Sequence, residues 1–530
     1  MAPHPTRRAA LAASLAAMAS GTLPWAASAQ AAAGATLVVG IAADPTGFDP
    51  EAVENNTSGF IMSAVYDSLV RYRPGTVEVE PGLAERWDIT PDGLKYTFHL
   101  RPGVTFHDGT PLNAETFIQG IARQLDKASP IYIYNTGPVE GYTEFTYGAV
   151  SGYRAVGDLA AEFTLKQPSA AFLSSLAMVW NGVVSPAAAA KYGKDFRNNP
   201  VGTGPFVFKE YRTRDQVVLD ANPAYWRGKP KLARIVFKVL PDPQAALLAL
   251  RRGEVHILAD VGAATIPTLK QEANVTLLTQ PGLAVCGVAL PTDVKPFDDV
   301  RVRRAMNLAV DKAAINRALF QGMAVPMTSP LPQAQWGFDT SLAGYPFDPE
   351  GAKKLLAEAG VQSGLRVELL TYNSARGYNP AGADLAVAIQ GYLKRVGIEA
   401  EVRRTDMGAF LSTVRSGKYD GLRMSGWTGD NGDPDNFAGA LFASKEIPIG
   451  NTSHYSNADV DRLLGEAART VDHGKRVALY NDVQKRIVDD APWIFINSVL
   501  QVRAVRKEVQ GFQLNPTQMF FDMDQVSLGT

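Results

Sequence analysis

Between Asp348 and Val402 the chain alternates helix and strand, and each helix carries its own start and stop. Asp348-Pro349-Glu350 supplies a cap, a first-turn proline and an acid at the positive end of the helix dipole, and Ala352, Leu355, Leu356 and Ala359 form one apolar stripe before Gly360. Arg366 to Tyr372 reads as a strand, Ala383 to Val396 as a helix stopped by Gly397, and Ile398 to Val402 as a strand again. Such alternation predicts an α/β lobe with a mostly parallel sheet.

The rest of the chain supplies material for a second body. Thr36 to Ile41 is a buried-strand pattern, followed by a helical stripe through Phe60, Ile61, Ala64, Val65 and Leu69. Thr57 and Ser58 are its expected caps, and backbone amides at such a start can hold a ligand oxygen. Leu83 to His107 reads as a β-meander, with turns at Pro91-Asp92-Gly93 and Pro102-Gly103. A helix follows from Asn113 to about Leu125. Ile235 to Leu240 reads as a strand and Ala245 to Arg252 as a helix ended by Gly253. Gln280-Pro281-Gly282 marks a change of domain, with a strand, Val285 to Leu290, after it. In the helix from Asp299 to Val310 the apolar positions share one face, which places Arg301, Arg303 and Arg304 on a solvated one. Two further helices, Asp459 to Val471 and Lys475 to Asp489, precede an extended crossing strand from Trp493 to Val502.

The N-terminus is a targeting segment. Thr6-Arg7-Arg8 precedes an Ala/Leu-rich run from Ala9 to Ala19, and Ala27-Ser28-Ala29 gives the small-residue cleavage pattern of a signal peptide over residues 1–29. The paired arginines fit a twin-arginine signal or an ordinary Sec signal equally. Cleavage removes Arg7 and Arg8 and no acid, moving the formal charge from −1 to −3, so no basic field exists to attract nucleic acid or an anionic membrane. Cys286 is the only cysteine and lies in an apolar run, so neither an internal disulfide nor a lipid anchor at the cleavage site is available. At 530 residues the length fits about three domains or one large two-lobed protein.

Chemistry concentrates in Gly426-Trp427-Thr428-Gly429-Asp430-Asn431-Gly432-Asp433-Pro434-Asp435-Asn436-Phe437, which reads as one ordered loop. A solvated surface turn would explain the acids, amides and glycines. Trp427 and Phe437 argue for packing instead, and an acid beside an indole suits a cationic ligand. The acid spacing departs from an EF-hand, because the third position from Asp430 is Gly432 and the fifth from Asp433 is Phe437. His99 and His107 lack metal-ligand spacing and are read as structural. Gly202-Thr203-Gly204-Pro205-Phe206 lacks the Gly-Lys-Ser/Thr ending of a phosphate loop and reads as a strand-entry turn. No Gly-x-Ser-x-Gly elbow or His-Glu-x-x-His motif is present, and three acids on one loop do not flank a bond as glycosidase carboxylates do. No catalytic residue, no metal and no cofactor is expected.

Several blocks resemble a known family. They include Pro81 to Trp87, Phe106-His107-Asp108-Gly109, Gly202 to Phe206, Asp298 to Arg303, Arg376-Gly377-Tyr378-Asn379-Pro380, Gly426 to Phe437, and Arg506-Lys507-Glu508-Val509. They resemble the periplasmic solute-binding proteins of ABC importers, in the peptide-binding family, family 5. The resemblance implies a two-lobed α/β periplasmic binding protein of type II, cluster C, with two crossing segments. Lobe I would comprise 35–282 plus 499–530, with a subdomain inserted at about 70–197, and lobe II 283–498. It implies a monomer that holds short peptides, chiefly dipeptides, and delivers them to permease subunits in the inner membrane.

The same resemblance assigns roles. Asp430 would hold the peptide α-ammonium and Arg376 its carboxylate. Trp427 would line the same pocket, with Gly426, Tyr378 and Met407 beside it, whereas Thr57 and Ser58 are counted as ligand-binding residues on their place at a helix start. The chain departs from the family pattern at Thr405-Asp406-Met407-Gly408, where the family's dipeptide binder has Tyr-Glu-Trp-Gly. It also departs in Leu422 to Ser425, where Arg423 is a candidate second carboxylate ligand. The alternative is the same fold around an opine, glutathione, haem, an oligosaccharide or a nickel chelate.

Overall fold

In the structure, a computed structural model, the described residues are 34–52, 55–125, 150–519 and 521–529. The expected signal segment lies outside them. Ala35–Thr530 pack as one unit. Among the described residues no helix is long and apolar enough to cross a membrane.

Twelve strands join in one sheet that runs through both halves of the molecule. The first half is built on Thr36–Ile41, which pairs in parallel with Arg234–Val239 and Ile257–Leu258. The second half is built on Leu365–Tyr372, which pairs in parallel with Ile398–Thr405 and Leu422–Thr428. All remaining pairings of the sheet are antiparallel, so it is mixed, where the helix–strand alternation predicts a mostly parallel one. The reason is connectivity: Ala284–Ala289 and Trp493–Arg506 arrive from the other half of the molecule, outside the local strand–helix–strand units.

Trp493–Arg506 is the strand that ties the halves together. Its first part pairs with Ala284–Ala289 and Ala324–Pro326, and its last part with Val275–Pro281 and Ile257–Leu258. The change of partner falls between Val499 and Leu500. A second crossing lies at Gly282, between Val275–Pro281 in one half and Ala284–Ala289 in the other. A side chain at Gly282 would press on the Val499 carbonyl at 3.2 Å, so the two crossings run against each other.

Each half has its own apolar core. Leu37, Val39, Phe60, Ile235 and Phe237 centre the first, and Val288, Met306, Leu369, Ile389 and Ile494 the second. A third core joins a four-stranded antiparallel sheet, strands Ala84–Ile89, Lys95–Leu100, Val150–Ala155 and Ala160–Leu165, to helices of the second half. Phe98, Phe163 and Phe172 belong to it together with Phe437, Phe442 and Tyr480.

Several local readings are corrected. The cap of helix Asn56–Met62 is Asn55, whose side chain accepts the Ser58 amide, so neither Thr57 nor Ser58 is the cap and that amide is already engaged. Val104 to His107 forms no strand, only a bridge from Thr105 to Pro111. Arg303 is buried rather than solvated, with its guanidinium donating to the carbonyls of Asp490, Phe297 and Asp298. Those carbonyls close the end of another helix and the turn before its own, and helical periodicity cannot show either.

Candidate functional site

Past strand Leu365–Tyr372 the chain makes a tight turn in which Arg376 and Asn379 exchange backbone hydrogen bonds of 3.0 and 2.9 Å. Buried Asn379 anchors the turn by donating to the Tyr372 hydroxyl at 3.2 Å and to the Gly382 carbonyl at 2.9 Å. Arg376 is left exposed at its tip. Tyr378 lies across Gly426, where any β-carbon would collide with its ring. The glycine of the Gly-Trp pair is thus required by close approach.

The acidic stretch is shorter as a loop than its composition suggests. Gly426, Trp427 and Thr428 are the end of strand Leu422–Thr428, and Asp435 to Phe437 open helix Asp435–Phe442. Asn436 in that first turn organises the wall. Its Oδ1 accepts the Trp427 indole N–H at 3.0 Å and the Asp430 backbone N–H at 2.9 Å, while its Nδ2 donates to Asp430 Oδ2 at 3.4 Å. Indole and carboxylate are therefore held in one fixed relation.

The other acids face inward. Asp433 is buried and takes two hydrogen bonds from Arg476, at 2.7 and 2.8 Å. Asn431 accepts the Asp433 amide and donates to Ser175 of helix Phe172–Leu176, and Gln335 donates to the Gly432 carbonyl. Asp435 is pushed up to about 6, first by burial and then by Asp433. A carboxyl raised above its unfolded value of 3.8 binds its proton more tightly when folded, so stability falls as pH rises from about 4 to about 6. Asp435→Asn should stabilise the protein at pH 7 by about 1–3 kcal/mol and flatten that decline. Denaturant unfolding at pH 4 and pH 7 measures both, and a loss of stability at pH 7 would refute the assignment.

Arg376, Tyr378, Met407, Gly426, Trp427 and Asp430 all line one cavity of about 460 Å³. Met407 enters from the first turn of helix Met407–Arg415, capped by the Asp406 side chain on the Ala409 amide. Part of the wall is apolar, with Phe410 and Leu411 from that helix and Ala440 and Leu441 from helix Asp435–Phe442. The charged groups of the lining are Arg376 and Arg415 against Asp430 and Glu446. A zwitterionic peptide with apolar side chains is chemically suited to such a place, with an ammonium and a carboxylate for the charged groups and its side chains for the apolar wall.

The remaining expected residues lie elsewhere. Thr57 lines a smaller cavity of about 80 Å³ with Asp260, Arg503 and Gln518. Those three also line a cleft of about 440 Å³, whose far wall includes Ala375, Gly377 and Pro380. The Arg376 turn thus separates the cleft from the peptide-sized cavity. Ser58 lines neither, being fully buried with its hydroxyl accepting the Thr46 amide. Arg423 is fully buried and does not form the cavity wall. Sequence reasoning passed over Asn436, Arg415 and Glu446. Asn436 had a signal, its place within the acidic stretch, whereas the other two had none. Among the described residues no cluster of His, Cys, Asp and Glu suits a metal ion.

Comparison with known proteins gives concordant results. Residues 78–448 match the family model "Bacterial extracellular solute-binding proteins, family 5 Middle". The dipeptide-binding protein of Escherichia coli (strain K12) is 35% identical over 495 residues, covering 91% of this chain and 92% of that protein. Heme-binding protein A of Haemophilus influenzae is 34% identical, covering 91% of this chain and 90% of that protein. Among solved structures, the ABC transporter-associated periplasmic binding protein DppA from Helicobacter pylori, in complex with the peptide STSA, superposes with a TM-score of 0.77 at 31% identity. That match covers 94% of this chain and 98% of that one.

Proposed function

Because the chain belongs to the bacterial extracellular solute-binding proteins of family 5, we propose that it is the binding component of an ABC importer that captures short peptides, dipeptides above all. It hands them to a membrane permease. The observation that carries this reading is that Arg376 and Asp430 line one cavity together with apolar and aromatic side chains. Asp430 takes the α-ammonium and Arg376 the carboxylate, with Trp427, Tyr378 and Met407 around the peptide between them. The family is one of solute binders, and the chain is read as a binder and not a catalyst.

The energetics support recognition by termini. Charge-assisted hydrogen bonds contribute roughly 1.5–3 kcal/mol each, so two anchors fall short of the ~8 kcal/mol of micromolar binding, and backbone and ring contacts must supply the rest. An extended dipeptide spans about 7 Å, and each added residue carries its carboxylate about 3.3–3.6 Å farther. A ligand of the wrong length leaves one charge unpaired, so length is selected ahead of sequence. The lobes are taken as 35–282 with 499–530 and as 283–498, on the two crossings at Gly282 and Val499. The site of action is the periplasm, after export on the N-terminal signal, and the protein acts as a monomer.

A second reading is haem, favoured by the relative named a heme-binding protein. Against it, the cavity wall carries neither histidine nor cysteine for an iron, although Met407 and Met424 offer thioethers. Thermal-shift screening of the mature protein against dipeptides, tripeptides, glutathione, opines, oligosaccharides, haem and nickel chelates tests both. A ligand at a hundred times its Kd stabilises by about 2.7 kcal/mol, and dipeptides are expected to give the largest rise in Tm. A rise with haem and none with any peptide would replace the reading.

A further inference from the structure

Arg423 is fully buried, yet Nε, Nη1 and Nη2 of its guanidinium have no hydrogen-bond partner in the protein. The nearest stabilising contact is the Tyr419 ring, 5.3 Å from Cζ. Among the described residues no carboxylate comes within 4.0 Å of it: Asp293 and Asp420 are near enough to be felt, but Asp420 is exposed and Asp293 is half in solvent, turned to His454 at 3.0 Å. A buried cation without a counter-charge is costly, which makes its retention informative.

Its position is equally specific. Along strand Leu422–Thr428, Arg423, Ser425 and Trp427 alternate onto one face, opposite Ala289, Gly287 and Val285 of the neighbouring strand. Ser425 and Trp427 line the 460 Å³ cavity, and Arg423 stands one pleat farther in, about 7 Å along the strand. The chain just beyond Ala289 folds against the segment that closes this end of the cavity, through the Thr292 amide on the Ser453 carbonyl at 2.9 Å. Thr452 in that segment lines the cavity, and its own hydroxyl is buried without a hydrogen-bond partner. Arg423, on the strand, and Thr452, on the segment that the chain beyond Ala289 folds against, are thus both buried polar groups without a hydrogen-bond partner. The wall itself balances Arg376 and Arg415 against Asp430 and Glu446, so Arg423 is a surplus positive charge.

We propose that Arg423 and Thr452 form an inner anion subsite that takes a second carboxylate of the ligand, giving preference to peptides with an acidic side chain. The proposal rests on the peptide reading of the cavity. The guanidinium is closed off from the cavity in this structure, so the ligand side chain must open a path past Ser425 to bring its carboxylate to Arg423, which can then hold it in the two-pronged geometry that arginine offers. Burial lowers the Arg423 pKa to about 10, so it remains charged at neutral pH.

Isothermal titration with the isosteric pairs Ala-Glu and Ala-Gln, and Glu-Ala and Gln-Ala, tests this. In at least one pair the acidic peptide should bind ten-fold or more tighter to the native protein, and in Arg423→Met the ratio should fall to within about two-fold of one. The variant should also unfold at the same or a higher temperature, because a guanidinium without partners is removed, whereas a structural arginine would lower it. Equal binding of Glu and Gln peptides by the native protein, or a preference that survives in Arg423→Met, overturns the subsite while the peptide reading stands. Binding of none of the four peptides overturns both.

Discussion

Replacing Asp430 with alanine is expected to weaken dipeptide binding by two to three orders of magnitude, with the fold unchanged. The carboxylate is half-buried in the cavity wall, and without it a bound α-ammonium loses the counter-charge that Asn436 holds in place. Removing one partner of a desolvated charge pair costs about 3–5 kcal/mol, and each 1.4 kcal/mol is a factor of ten in Kd. The backbone side of the loop should survive, because Asn436 Oδ1 holds the Asp430 amide and the Trp427 indole whatever side chain stands at 430. Circular dichroism and melting temperature should match the native protein, and a native-like Kd would refute the role.

The assignment to the ammonium is tested by a cycle. N-acetylation of the dipeptide should weaken binding to the native protein about as much as Asp430→Ala does. Applied to the variant it should add little, because both changes delete the same contact. Amidation of the C-terminus should behave likewise with Arg376→Ala. If acetylation and Asp430→Ala instead add in full, the carboxylate serves something other than the amine.

How much of this was visible in the sequence depended on whether the cause was local. The cap at Asp348 is as its residues imply, with the side chain accepting the Gly351 amide, because cap, proline and stripe lie within one turn. Helix Asp435–Phe442 was hidden, since Gly-Asp-Pro-Asp-Asn is turn chemistry and nothing local says that Pro434 sits at the helix entrance. The crossing strand extends to Arg506 rather than Val502, because Arg503 to Arg506 pair with Val275–Leu278 and with Ile257–Leu258, partners distant in sequence that no periodicity names. The site shows the same limit. Arg376, Met407 and Asp430 come from three separate elements, and only a family resemblance linked them before the fold did. Ser58 suggests a binding residue by its place at a helix start, whereas the fold spends its hydroxyl on the Thr46 amide and its own amide on Asn55.

Arg476→Met is expected to produce the largest loss of stability, although Arg476 is not part of the cavity lining. The Arg476 side chain is 5% exposed and that of Asp433 2%, and they share a two-pronged pair. Arg476 also donates to the Ala467 carbonyl and packs over Trp336 at 4.8 Å, which ties the acidic loop to helix His473–Asp490. Deleting the cation leaves Asp433 buried with its charge unanswered, a cost of about 3–5 kcal/mol, read as a lower denaturant midpoint. Asp433 Oδ1 also accepts the Asp435 amide, and Asn436, which sets the angle of Asp430, follows directly. Loss of the pair should therefore weaken dipeptide binding as well, through a loop that no longer holds Asp430 in place. Arg476→Met with Asp433→Leu should recover much of the stability, since a matched apolar pair replaces a buried ion pair at little net cost. It should not recover the affinity, because Leu cannot accept the Asp435 amide. If the double variant restores both together, the pair contributes only charge balance, and the loop takes its shape from Asn431 and Asn436 alone.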